Sequence, residues 1–183
     1  MKRRALILSL PLLVAPHVLR ADPLAMARVP GAVLLMRHAT APGTGDPPGF
    51  ALGDCATQRT LSAAGRAEAQ AIGARLRSGG VRPGLIASSQ WCRCRDTAAL
   101  LNLGPVQDWP ELNSFFDGRG DGRAQTAATL ARLASIIDEA TVLLVTHQVN
   151  ITALTGIVPR SGEIVVTRRS GGGLAVTVRL PPG

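Results

Sequence analysis

The 183-residue chain is 46% hydrophobic but only 3% aromatic, and it carries 20 Lys and Arg against 12 Asp and Glu, a formal charge of +8. That length suits one domain with a core of Leu, Val, Ile and Ala. The basic excess includes no Lys/Arg tract with interleaved aromatics, which argues against a nucleic-acid partner. Nineteen of the 20 basic residues are Arg, a pattern of codon bias, so a single arginine is weak evidence of function.

Lys2, Arg3 and Arg4 precede an apolar run from Ala5 to Val14 that is too short and too Pro-rich to span a membrane stably. Ala25-Met26-Ala27 offers a small-x-small cleavage site, so residues 1–27 read as a secretory signal peptide. Arg3-Arg4-Ala5-Leu6-Ile7 also fits a loose twin-arginine pattern, and a retained membrane anchor is a further alternative. Cleavage would remove Lys2, Arg3, Arg4 and Arg20 with Asp22, lowering the charge from +8 by 3 to +5. That excess still attracts an anionic substrate. Residues 28–183 then form a single exported domain, periplasmic or secreted, with no stable membrane span.

Val33-Leu34-Leu35-Met36 has the continuous apolar character of a strand buried on both faces. A Gly/Pro-rich loop follows from Ala41 to about Arg59. Leu61 to Arg77 reads as a helix with Ala69, Ile72 and Leu76 on one face, stopped by Gly79-Gly80. Leu85-Ile86-Ala87 is a second strand running into Ser88-Ser89, Arg93 to Leu101 a second helix, and Val106 suits a minor strand. Residues 108–122 are loop-like. Arg123 to Ala140 is the clearest helix, with Leu130, Leu133, Ala134 and Ile137 at core spacing. Val142-Leu143-Leu144-Val145 repeats the first strand's pattern, and a short helix starts near Gln148 and ends by Gly156. Glu163–Arg168 and Leu174–Leu180 flank a Ser170-Gly171-Gly172-Gly173 turn as a hairpin. The alternation implies a three-layer α/β/α fold with a mostly parallel central sheet and a C-terminal antiparallel hairpin.

Outside the signal only two histidines remain, His38 and His147, each directly after an apolar strand. Open parallel sheets bind ligands at the carboxyl ends of their strands, so the pair marks one candidate site. Ser88-Ser89 and Arg93 occupy a third strand end and the helix start beyond it, where free N–H groups favour an anion. Arg37, Arg93, His38 and His147 together supply two guanidinium forks and two imidazoles, a set suited to a phosphoryl group.

Four segments carry a resemblance. Arg37-His38-Ala39 resembles the Arg-His-Gly signature of the histidine phosphatase (phosphoglycerate mutase-like) superfamily. Arg59-Thr60-Leu61-Ser62-Ala63-Ala64-Gly65-Arg66-Ala67-Glu68-Ala69 is similar to the start of that family's next helix. Ser88-Ser89-Gln90-Trp91-Cys92-Arg93-Cys94-Arg95-Asp96-Thr97-Ala98 matches its Ser-Ser-x-x-x-Arg-x-x-x-Thr-Ala segment, and Val145-Thr146-His147 its second histidine segment. The four occur in family order across nearly all of residues 28–183.

The resemblance implies a phosphatase acting through a phosphohistidine on His38, with a backbone carbonyl holding the other ring nitrogen. Arg37, Arg93, His147 and Ser88 would bind the phosphoryl oxygens of a small phosphorylated substrate, and no metal or other cofactor would be needed. The sequence departs from the family in three places. Ala39 replaces the usual Gly. Gln148 follows the second histidine where the acid phosphatase branch has Asp. Leu112-Asn113-Ser114 puts Ser114 where the mutase branch has Glu. Glu111 and Asp117 are nearby substitutes for the missing general acid, or else solvated loop carboxylates. A missing acid suits good leaving groups, so a phosphohistidine or phosphoanhydride hydrolase is the alternative to a phosphomonoesterase. A phosphate-binding protein on the same fold is the non-enzymatic one.

Three cysteines lie beyond the signal: Cys55, Cys92 and Cys94. A zinc site is not expected, because both histidines are otherwise explained. The implied fold brings the loop holding Cys55 to the edge of the sheet where the Arg93 helix begins. A Cys55–Cys92 or Cys55–Cys94 disulfide would pin that loop over the pocket; three free thiols are the alternative.

Overall fold

A computed structural model describes residues 22–182. Most of the expected signal peptide therefore lies outside the described residues. The described part of it, from Asp22, forms a 3₁₀ turn over Ala25–Arg28, with Leu24 and Ala27 buried. Arg28 ties the turn down by donating to Asp22 and to the Gly79 carbonyl. Cleavage after Ala27 would split this packed turn.

Six strands form one sheet in the order β3-β2-β4-β1-β5-β6. They are β1 (Ala32–Arg37), β2 (Leu85–Ser88), β3 (Val106–Asp108), β4 (Val142–Thr146), β5 (Ile164–Ser170) and β6 (Gly173–Leu180). β1 to β4 are parallel, and the β5–β6 hairpin adds antiparallel to β1. The helices are α1 (Ala63–Ser78), α2 (Cys92–Leu101), α3 (Gly122–Ala134) and α4 (Gln148–Thr155). No described helix is long and apolar enough to cross a membrane.

Successive residues of β1 feed opposite cores, as a strand's period of two dictates. Leu34 and Met36 pack with Ile72 and Leu76 of α1 and with Cys94, Ala98 and Leu101 of α2. Val33 and Leu35 pack with Trp109, Leu133 of α3 and Ile151 of α4. The apolar run is thus buried on both faces, and the three-layer α/β/α architecture follows. Gly73 lets α1 and α2 touch, since a β-carbon there would sit 2.1 Å from the Leu101 carbonyl oxygen.

The third helix corrects the sequence expectation. It ends at Ala134, not near Ala140, and Ala134 and Ile137 are exposed. Ser135 turns its hydroxyl back onto the Arg132 carbonyl, and the Ser135 and Ile136 amides close tighter i−3 bonds. Such local bonding competes with the helix ladder. The turn swings Ile136, instead of Ile137, against the core.

Candidate active site

The sheet's register assembles the site. Arg37 pairs with Thr146 in the parallel β1–β4 ladder, so His38 and His147 emerge side by side at the carboxyl edge. The His38 amide extends the ladder by donating to the Thr146 carbonyl at 3.0 Å. Ser88 pairs with Val145, which delivers Ser89 to His147 from the other side. The first turn of α2 adds Arg93.

These residues meet in a cavity of about 200 Å³ whose wall includes Arg37, His38, Asp46, Arg59, Arg93 and His147. Its mouth is built from both expected loops, with Gly43 to Asp46 on one side and Ser114, Phe116 and Arg119 on the other. Phe50 stacks on Trp91, and the Arg119 guanidinium lies 4.6 Å above the Phe50 ring.

His38 is buried, and its Nδ1 lies 2.8 Å from the Ala39 carbonyl oxygen. A carbonyl only accepts, so Nδ1 carries the proton and Nε2 keeps its lone pair. Burial, helped by the nearby Arg93, Arg37 and Arg59, pushes the His38 pKa down to about 3 against the hydrogen bond to Ala39. The ring is therefore neutral near pH 7. Ala39 is fully buried against Leu61 and Ala69, so the methyl that replaces the usual Gly hydrogen has a place in the core. The Ala39 amide donates to Thr97 Oγ1, and Thr97 donates to the Arg93 carbonyl, linking the loop after His38 to α2. Gly65 brings α1 against the same loop: a β-carbon there would sit 2.0 Å from the Thr40 carbonyl oxygen.

His147 is also buried, and its pKa lies well below the ordinary value, first through desolvation and then through His38 and the arginines. Its Nε2 meets Ser89 Oγ at 2.9 Å and Cys94 Sγ at 3.5 Å. Cys94 is fully buried, and desolvation drives its pKa up to about 12, so it stays a thiol.

Arg37 donates from Nη1 to the Pro159 carbonyl, and its buried Nε has no partner. Arg93 likewise has a buried Nε without a partner. Its Nη1 and Nη2 grip Asp46 at 2.6 and 3.2 Å, with both side chains 3% exposed. Arg59 donates from Nε to Gly45 and from Nη1 to Ala41, which folds the loop back on itself. Desolvation first, then Arg93, lowers the pKa of both Arg37 and Arg59, as expected where cations crowd.

Four of the residues inferred from sequence converge: Arg37, His38, Arg93 and His147. Three do not. Ser88 turns into the protein and donates to the Ser89 carbonyl, because the strand's alternation points its neighbour Ser89 at the site. Glu111 is drawn away by an ion pair with Arg132, and Asp117 is an exposed turn residue with φ of 59°. Neither carboxylate lines the cavity; Ser114 and Gln148 do. Asp46, Arg59 and Ser89 were not singled out from sequence. Arg59 opens the quoted Arg-Thr-Leu-Ser segment and Ser89 adjoins Ser88, so both had a signal; Asp46 in its Gly/Pro-rich loop had none.

Cys55 and Cys92 are disulfide-bonded, with Cα atoms 5.7 Å apart, and Cys94 is the free thiol. Among the described residues no three His, Cys, Asp or Glu side chains converge as a metal-binding group.

A model of the histidine phosphatase superfamily (branch 1) matches residues 33–132, more than half of the chain. No curated protein sequence matches. Among solved structures, the protein histidine phosphatase SixA complexed with tungstate superposes with a TM-score of 0.62 at 18% identity, covering 82% of this chain and 97% of that one. A putative phosphohistidine phosphatase SixA from Agrobacterium tumefaciens gives 0.57 at 24% identity, covering 84% and 99%. Phosphoserine phosphatase from Entamoeba histolytica, in complex with 3-phosphoglyceric acid, gives 0.59 at 11% identity, covering 81% and 95%. At these identities the likeness is one of fold.

Proposed function

The chain belongs to the histidine phosphatase superfamily, and we propose that it hydrolyses a phosphomonoester through a phosphohistidine on His38. One observation carries the reading. Arg37 and Arg93 both line the cavity in which neutral His38 presents a free Nε2, and each keeps a buried Nε–H without a partner. Buried donors without partners are costly, and a phosphoryl group would satisfy both.

In the first step Nε2 attacks phosphorus, the bond to the leaving oxygen breaks, and that oxygen takes a proton from solvent. In the second, water attacks the phosphohistidine, the P–N bond breaks, His38 regains its lone pair and the water's proton passes to solvent. Arg37 and Arg93 neutralise the transferring oxygens in both steps. Ser89 has one hydroxyl proton, within reach of both His147 Nε2 at 2.9 Å and Asn113 Oδ1 at 3.2 Å; when it goes to Nε2, the ring's own proton sits on Nδ1 and can be donated to the same oxygens. Every group in these steps belongs to the protein or the substrate, so the reaction is written without a metal.

The lack of an acid favours a second reading, hydrolysis of phosphohistidine or a phosphoanhydride. Asp46 is the one carboxylate lining the cavity. Burial works to raise its pKa, but hydrogen bonds from Arg93 and Trp91 hold it below the ordinary carboxylate value. It is not poised to protonate an alkoxide.

Trapping tests the whole. Brief incubation with radiolabelled acetyl phosphate should leave acid-labile, base-stable label that is lost in His38→Asn. Absence of label in the wild type, with phosphate still bound, would leave a binding protein. Rates over sugar phosphates, nucleotides and phosphohistidine mimics then choose between the two substrate classes. We further propose export, since the Cys55–Cys92 disulfide suits an oxidising compartment.

A further inference from the structure

We infer that Asp46 is a positioning residue: its carboxylate clamps the outer edge of the Arg93 guanidinium so that the inner edge faces the phosphoryl group. The inference rests on the phosphatase reading above.

A guanidinium has five N–H groups in one plane. Asp46 takes one from Nη1 and one from Nη2, and the Arg59 carbonyl accepts the second Nη1 hydrogen at 3.3 Å. The Nε–H and the second Nη2–H remain. They lie parallel along one edge, spaced to meet two oxygens of a phosphoryl group, and Nε is buried without a partner. Asp46 thus consumes the edge that phosphate does not need.

Asp46 is itself held firmly enough to act as a clamp. Trp91 Nε1 donates to Oδ2 at 3.0 Å, and the Arg59 amide donates to Oδ1 at 3.1 Å. The same loop grips the start of α2 at adjacent points. Gln58 Oε1 accepts from the Cys92 amide at 2.9 Å, and Cys55 is bonded to Cys92. Trp91, Cys92 and Arg93 are each held by residues 46–59.

Charge and orientation oppose each other here, which makes the sign of the effect decisive. Arg37, Arg59, Arg93 and Arg119 give the cavity four positive charges, and Asp46 offsets one. Were Asp46 only a counter-charge, or an anion occupying the place of phosphate, its removal would tighten anion binding. A lost clamp instead frees the Arg93 side chain, which must then be ordered by the ligand at an entropic cost.

The experiment is vanadate binding by calorimetry, with kcat and KM measured on an aryl phosphate and an alkyl phosphate. Asp46→Ala should weaken vanadate roughly tenfold or more and Asp46→Asn less, since the amide oxygen still accepts one bond. KM should rise by more than kcat falls, equally for both substrates. In an Arg93→Ala background the Asp46→Ala effect should vanish, because the residue acts through Arg93. Unchanged or tighter vanadate binding in Asp46→Asn overturns the inference, and that variant alone decides it if the alanine variants do not fold. Selective loss on the alkyl phosphate would make Asp46 a general acid and also overturn it. A wild-type protein that binds no vanadate sinks the phosphatase reading instead.

Discussion

The imidazoles of His38 and His147 meet edge to face, with ring centroids 5.6 Å apart and planes inclined at 68°. The contact follows from the parallel pairing of Arg37 with Thr146, which ends β1 and β4 at the same height. Two nearly identical strand sequences thereby place two neutral rings in one cavity.

His38→Asn should lower turnover roughly 10³-fold or more, because no neighbouring group can accept the phosphoryl group in its place. The side chain is only 2% exposed, so it contributes to packing and cannot be treated as a surface imidazole. A modest loss of stability, about 1–2 kcal/mol, should accompany the loss of activity. Circular dichroism and single-turnover kinetics separate the two effects; wild-type turnover in a folded variant would remove His38 from the mechanism.

Acid should affect stability before it affects the nucleophile. His38 has a folded pKa of about 3, while an unfolded histidine titrates near its ordinary value of 6.5. Between those values the unfolded chain binds more protons, so stability falls as pH falls from 6.5 towards 3. His147 is shifted the same way and adds to the slope. His38 itself stays neutral through this range, so kcat/KM at pH 5, measured below the melting temperature, should show no loss attributable to its protonation. An acidic limb near pH 6.5 that persists with a substrate not titrating there would contradict the buried, neutral ring.

The fold was legible because its two central strands, β1 and β4, are short apolar runs set among segments of helical periodicity, and because a histidine follows each run after a single polar residue, Arg37 or Thr146. Arg93 was legible from its place at a helix start. What failed was whatever depends on local turns or long-range pairing. Ser88 and Ser89 are adjacent, and only the register with Val145 decides which one faces His147. Glu111 stands next to the segment where an acid is expected, yet Arg132, 21 residues away, captures it. Asp46 lies 47 residues from the arginine it holds, in a loop without periodicity. Composition alone offers no route to that pair.

Arg93→Ala should destabilise the protein by about 3 kcal/mol, as expected when a buried charge loses its partner. Asp46 would remain buried with only Trp91 Nε1 and the Arg59 amide to hold it. The double variant Arg93→Ala/Asp46→Asn removes the stranded charge, so it should melt at a higher temperature than Arg93→Ala alone. The reverse order would mean that the carboxylate escapes to solvent.

The segment before β1 is expected to matter for folding. Leu24 packs against Gly79 at the end of α1, and Ala27 has no exposed surface. Leu24→Ala should cost about 2 kcal/mol, and deletion of residues 22–27 more. Chemical denaturation compares them. N-terminal sequencing of the exported protein should then find a start at or before Asp22; a start at Arg28 in a fully stable protein would show the turn to be dispensable.

The disulfide links stability to ligand binding. Cys55 is exposed and Cys92 buried, and they are 37 positions apart in sequence. In the chain-entropy model, closing a loop of that length stabilises the native state by about 4 kcal/mol. Cys55→Ser should therefore lower stability by up to that amount. It also frees one of the points at which the loop grips α2, so KM should rise while the phosphohistidine still forms, because Arg59 and Asp46 sit on the loop and His38 does not. Thiol titration of the denatured, unreduced protein should count one thiol, from Cys94, and three after reduction. Three thiols before reduction would mean the bridge is absent from that preparation. An unchanged KM in Cys55→Ser would show that the hydrogen bonds of Asp46 and Gln58 hold the loop without it.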